Sequence, residues 1–218
     1  MYRAHGGTNF GLWAGANADQ RGESTYSPTL TTYDYDAPIN EQGAPTEKFH
    51  MFRSMVQKYT NEKLPDIPQP IPTMEIPAFI PVKFADLFLN LPKPVLTQVP
   101  ELVVFEDEQL KMFNQGFVLY ETILKQGFYV INITVHDFAL IYQDGRFLRS
   151  LDRTEEDFHL LNILCKDGNS KLHILVEAMG HVNFNYGMLT DYKGITNITI
   201  WKFSGNQTVF EKCKNNHA

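Results

Sequence analysis

Two different periods run along this chain, and a proline-dense stretch separates them. Between residues 45 and 60, Phe49, Phe52, Val56 and Tyr59 recur every three or four positions, with Met55 beside them. That spacing puts one apolar stripe on an α-helix. Lys48, Arg53, Gln57 and Lys58 fall on the opposite side. Pro45 suits the first helical position, where no amide donor is required, and Glu47 follows in the first turn, where the helix dipole favours an anion. A helix patterned this way lies against something.

Beyond Pro100 there is no proline and the period drops to two. Tyr129, Ile131, Ile133 and Val135 alternate with Asn132 and Thr134, the signature of a half-buried strand. Further strands are predicted at 117–124, 138–142, 146–151, 160–165, 172–177 and 198–203. Gln143-Asp144-Gly145 between two of them predicts a hairpin, and Asp167-Gly168-Asn169 predicts a join between two others. Many short strands with glycine-containing turns specify an all-β sandwich or jelly roll. The residues after Gly205 are polar and read as a frayed end.

Nine of the twelve prolines, at 65, 68, 70, 72, 77, 81, 92, 94 and 100, fall between these two regions. That density excludes helix and central strand and predicts an extended connector. Val82 to Leu91 interrupts it with an apolar run suited to an edge strand that ties the connector to the next domain.

The first 44 residues have neither period. His5-Gly6-Gly7-Thr8-Asn9-Phe10-Gly11 is a glycine-dense turn, in which backbone can approach a ligand or another strand closely. Residues 11–32 form a long loop without regular structure, and such loops are usually functional or disordered. Thr31-Thr32-Tyr33-Asp34-Tyr35-Asp36-Ala37-Pro38 interleaves two phenols with two carboxylates. Flat hydrogen-bonding faces beside short acceptors are the chemistry that a cluster of sugar hydroxyls needs.

HGGTNFG, followed by TTYDYDAPI-x-E-x-G and a helix opening Thr46-Glu47-Lys48, resembles glycoside hydrolase family 35, the β-galactosidases. Phe105–Leu110, Gln115–Thr122, Val135-His136-Asp137, Asp144-Gly145 and Val176–Gly194 follow in the order that family uses. The resemblance implies that the chain begins in the eighth strand of a (β/α)8 barrel and its substrate-side loop, consistent with active sites at the C-terminal ends of barrel strands. The fold class it implies is mainly β: a jelly-roll-like β-sandwich preceded by a remnant of a (β/α)8 TIM barrel. The organisation is then barrel end at 1–62, proline-rich linker at 63–100, sandwich at 101–205 and polar tail at 206–218. The helix would pack on the outside of the barrel.

In that family two glutamates, an acid/base and a nucleophile, sit on earlier strands that this sequence does not contain. The resemblance therefore implies hydrolysis of terminal β-galactose with retention, by a protein of which this chain is a C-terminal part, inactive alone. It implies substrate contact for Tyr35, the second tyrosine of the motif, and for Tyr2. Phe10 and Trp13 are candidates for a sugar platform or for pinning the loop. Asp34 and Asp36 read as turn-capping carboxylates rather than a catalytic pair. Family members usually carry arginine after the His-Asp where this chain has Phe138, so a polar anchor in the sandwich is expected to be missing.

Composition narrows the picture further. With 43% hydrophobic and 13% aromatic residues the chain is a core-forming one. A net charge of −6 and the lack of a basic run argue against nucleic acid. No apolar run is long enough to cross a bilayer. The scattered histidines lack metal-ligand spacing, and no serine-hydrolase elbow or P-loop is present, so neither metal nor cofactor is implied. The expected partner is a galactoside, met through the complete enzyme; oligomeric state is not legible. Asn132-Ile-Thr134, Asn197-Ile-Thr199 and Asn206-Gln-Thr208 are glycosylation acceptors. They fit a lysosomal or secreted parent, although this chain has no signal-like start. Cys165 and Cys213 allow one disulfide. The rival reading is a non-catalytic carbohydrate-binding or interaction module built on the sandwich, and a third is a truncated product with an uncovered helix stripe.

Overall fold

A computed structural model describes residues 3–7, 9, 11–18, 25–29, 33–94, 116–154, 160–189, 191–204 and 207–213. The chain divides into two compact units, one of residues 1–11 and 29–84, the other of residues 12–28 and 85–218. Each is described separately.

The second unit is built from strands β1 (Gly15–Asn17), β2 (Ser27–Pro28), β3 (Gly116–His136), β4 (Phe138–Gln143), β5 (Arg146–Asp152), β6 (Leu160–Ala178), β7 (His181–Val182), β8 (Gly194–Ser204) and β9 (Gln207–Cys213). Six of them form one antiparallel sheet in the order β5-β4-β6-β3-β8-β9. β3 and β6 pair along almost their whole lengths, from Gly116 opposite Ala178 to Asn132 opposite Leu160. Their register breaks between Lys125 and Gly127. There Gly127 has φ +148, and a β-carbon on it would stand 3.3 Å from the carbonyl oxygen of Phe203. This position requires glycine.

On one side of the break β4 and β5 extend the ribbon, and on the other β8 and β9 do. The inward faces of the two halves meet in one hydrophobic cluster. Ile131, Ile133 and Val135 of β3 join Ala139 and Ile141 of β4, Leu151 of β5, Ile174 and Val176 of β6 and Ile195 of β8. The fold is thus mainly β, a sandwich made by bending one sheet. The period-two pattern reaches it directly, since Tyr129, Ile131, Ile133 and Val135 are all buried.

Three local expectations change. Residues 160–165 and 172–177 are not two strands joined through Asp167-Gly168-Asn169 but one continuous strand, because residues 166–168 bulge opposite Gln126 while pairing resumes on both sides. The end of the chain is not all frayed: β9 pairs with β8 from Ser204–Gln207 to Ile198–Cys213, supplying the edge partner β8 lacks. Val82–Leu91 is not an edge strand. Asp86 closes a turn by accepting from the Phe88 amide at 2.9 Å, and Asn90 donates back to the Asp86 carbonyl at 2.6 Å. That turn inserts Phe88 against His173 and Tyr142, ring centroids 4.6 and 5.1 Å away. One aromatic anchor fastens the connector there in place of a ladder. The expected β4–β5 hairpin is present, with Asp144 at φ 49 and Gly145 at φ 80, the left-handed pair that a type I′ turn requires. Cys165 is a free, buried thiol.

The first unit contains one helix, α1 (Glu47–Gln57). Its N-cap is Thr46, whose hydroxyl accepts from the Phe49 amide, so Pro45 precedes the cap rather than opening the helix. The expected barrel strand is represented, among the described residues, by a single parallel bridge between His5 and Ile39. Ile39 also bridges Pro45 in antiparallel, but neither bridge extends into a ladder among the described residues. The connector has no regular structure through residue 84, and Ile71, Met74, Phe79, Ile80 and Phe84 on it are exposed.

Candidate functional site

The Tyr33–Pro38 turn is held from three directions within the first unit. The Asp34 carboxylate accepts from the Ala37 amide at 2.7 Å, a carboxylate-capped turn. Asp36 has φ 53, a left-handed conformation, and both its carbonyl and its carboxylate accept from Lys48 of α1. Pro38 accepts through its carbonyl from the Thr46 amide at 2.8 Å and the Thr46 hydroxyl at 2.7 Å. The residue that caps the helix therefore also fixes the end of the turn. Both aspartates serve the backbone and a lysine, in keeping with their reading as turn residues.

What the turn presents is Tyr35. Its side chain is 62% exposed, while Ala37 beneath it is buried. The Tyr33 ring lies 4.8 Å from the Tyr35 ring at 58°, and the Arg3 guanidinium stands 4.4 Å over the Tyr33 ring. Arg3, Tyr33 and Tyr35 thus form a tilted ladder with the outermost phenol facing outward. The arrangement offers a ring face for stacking and a hydroxyl for exchange with a ligand's hydroxyls. At the preceding turn His5 Nδ1 accepts from the Gly7 amide at 2.9 Å, and Gly7 has φ +78.

The helix stripe behind this turn is covered only in part: Phe49 and Phe52 are half-buried. Not one residue of α1 is buried. Phe49, Phe52 and Val56 instead line a groove of about 260 Å³ with Ala4, Ile39 and Leu64. Tyr59, one turn further along, is 87% exposed.

Tyr2 and Phe10 lie outside the described residues, as does Asn206. Trp13 is 82% exposed in a short 3₁₀ turn before β1 and belongs to the second unit. Asn197 is exposed on β8 and Asn132 half-buried on β3. Their sequons run antiparallel on neighbouring strands, Asn132 opposite Thr199 and Thr134 opposite Asn197.

The second unit holds a constellation that periodicity could not reveal. Asp137, Arg153, Asp191 and Lys193 are all buried. Arg153 donates to Asp137 at 2.8 Å and to Asp191 at 2.6 Å; Lys193 donates to Asp137 at 2.7 Å and to the Gly180 carbonyl at 3.0 Å. The amides of Met179 and Val182 complete the two carboxylates. Two cations against two carboxylates leave no net charge, which is the condition for burying ions at all. Phe138 therefore costs the sandwich no anchor, since Arg153 and Lys193 supply the cations that Asp137 needs. Asp137 and Asp191 fall in segments that resemble the family, but nothing in their spacing shows that they meet. Burial acts against the Asp191 carboxylate, but Lys193 and the Arg153 hydrogen bond prevail and lower its pKa. Burial, then the Arg153 charge, lowers the His136 pKa to about 4. The neutral ring's Nδ1–H donates to the Tyr192 carbonyl at 2.8 Å.

Comparison with known proteins places both halves. Residues 1–59 match the model for glycosyl hydrolases family 35, and residues 107–208 match the first all-β domain of β-galactosidase. The chain belongs to glycosyl hydrolase family 35, with a hydrolase-family segment followed by the all-β domain. A β-galactosidase of Xanthomonas manihotis is 32% identical over 89% of this chain and 32% of its own length. The β-galactosidase-1-like protein of Mus musculus is 34% identical over 89% of the chain and 30% of itself. The human β-galactosidase is 35% identical over 92% of the chain and 29% of itself. The chain spans about a third of the length of these relatives.

Proposed function

We propose that this chain is the sugar-contacting C-terminal part of a retaining β-galactosidase, with Tyr35 as its principal galactose contact. The observation that carries the reading is the Tyr33–Pro38 turn, in which two carboxylates and a lysine are used up in fixing a phenol that faces outward. In the family's reaction one carboxylic acid protonates the leaving oxygen and a second carboxylate attacks the anomeric carbon, ~5–5.5 Å apart. Asp34 and Asp36 are engaged in the turn, and this chain supplies neither group. Its proposed contribution is Tyr35 as part of the sugar site, with Tyr2, Phe10 and Trp13 as further candidate sugar contacts.

The uncovered face of α1 supports the view that these residues work within a larger barrel. Met51, Met55, Val56 and Tyr59 stay exposed on and just beyond the helix, and an exposed apolar face of that kind marks a surface built for contact. Placement of the parent in the lysosome or outside the cell, with glycans at Asn132, Asn197 and Asn206, follows from the same reading. The test is a chimera joining this chain to the upstream portion of the human relative, assayed with a nitrophenyl β-galactoside. Hydrolysis is expected, and Tyr35→Phe should lower kcat/KM by tenfold or more. An active chimera indifferent to Tyr35→Ala would refute the assignment of Tyr35.

A further inference from the structure

The segment 12–28 falls in the stretch that matches the hydrolase family, yet it is bound into the β unit. β1 pairs in parallel with β7, Gly15 opposite His181 and Ala16 opposite Val182, and antiparallel with β2. The His181 amide donates to the Ala14 carbonyl at 2.9 Å. A three-stranded sheet of such short strands is not stable by itself, so something else must hold it. Tyr26 does. Its hydroxyl donates to the Gly180 carbonyl, the acceptor that Lys193 also uses. Its ring lies 4.4 Å from the Arg153 guanidinium carbon and 5.1 Å from Lys193 Nζ. Desolvated cations over a ring face are the stronger form of this contact. Ala16, Ala18 and Val182 close a small apolar cluster around Tyr26. A β-carbon on Gly180 would lie 2.7 Å from the Gly15 carbonyl carbon, so the two backbones touch where only glycine fits.

We propose that Tyr26 and the buried Asp137–Arg153–Asp191–Lys193 cluster form a latch that positions the Trp13-bearing segment on the β unit, making this unit a structural contributor to sugar recognition. Tyr26 is a positioning residue, acting through β1 on the turn that presents Trp13. The recognition clause rests on the galactosidase reading; the latch itself does not.

The experiment uses the full chain carrying Trp201→Phe, which leaves Trp13 as the single tryptophan. Tyr26→Leu removes both ring and hydroxyl, Tyr26→Phe the hydroxyl alone, and Gly180→Ala obstructs the contact from the β side. Amide exchange at residues 14–18 and 181–183 should accelerate tenfold or more in Tyr26→Leu and Gly180→Ala, and less in Tyr26→Phe. Amides at 131–135 and 174–176 should stay within threefold of the parent. Trp13 anisotropy should fall in the same order as the exchange rises. Unchanged exchange at 14–18 in both strong variants would overturn the latch. Equal acceleration throughout the sandwich strands would do so too, by making the cluster ordinary core. Exchange that follows the expected pattern, with Trp13 emission indifferent to galactose in the active chimera, would keep the latch and refute the sugar role of Trp13.

Discussion

The two units solve the problem of an apolar surface in opposite ways. In the sandwich, β3 and β6 bend at Gly127 and close their inward faces on each other, so that Ile131, Ile133, Val135 and Val176 lose all contact with water. In the first unit, α1 carries an apolar stripe of its own and none of its residues is fully buried. The difference is one of partners. A strand pair that folds back on itself supplies its own second layer, whereas the helix of the first unit shares a groove with Ala4, Pro38, Ile39 and Leu64, and no strand ladder is present there among the described residues.

The largest effects should come from the ion cluster, where the contrast is sharpest. Lys193→Met leaves Asp137 and Asp191 sharing one cation and should destabilise the sandwich by about 3–5 kcal/mol, read by urea denaturation followed through the β signal. Ile131→Ala, deep between the halves, should cost about 2–5 kcal/mol by the same measurement. Either change should leave the helical signal of α1 intact if the units unfold independently.

A pH series sharpens the comparison further. Burial holds His136 near 4 in the fold, against 6.5 ordinarily. The unfolded chain therefore binds a proton first, and the sandwich should lose stability as pH falls from about 6.5 to about 4, by roughly 3 kcal/mol in all. Unfolding at stepwise pH should show this slope, and His136→Asn should flatten it. Below the ordinary carboxylate range, protonation of Asp191, whose pKa is lowered in the fold, should add a second loss. The smallest effect belongs to the first unit: Thr46→Ala removes the helix cap and the bond to Pro38, and should cost about 1 kcal/mol. It is seen as faster exchange in α1 and in the Tyr33–Pro38 turn, with the sandwich unaffected.

The strands and hairpin were legible in the sequence because period-two alternation and Asp144-Gly145 are local signals. The continuity of β6 was not, since Asp167-Gly168-Asn169 carries hairpin chemistry and only the unbroken pairing on β3 shows that it is a bulge. The carboxylate-capped turn that carries Tyr35 was legible through its aspartates and Pro38. Tyr26 was not, because nothing near it in sequence announces that it meets Gly180, Arg153 and Lys193 from more than 120 positions away. Charges that neutralise each other across three connections leave no periodic trace.

The central claim is that this chain carries the galactose-facing turn but not the two carboxyl groups that cleave the bond. The purified 218-residue chain incubated with a nitrophenyl β-galactoside tests it most directly. The account predicts no nitrophenol above the enzyme-free rate. Steady turnover by the chain alone, abolished by Asp34→Asn or Asp36→Asn, would contradict it.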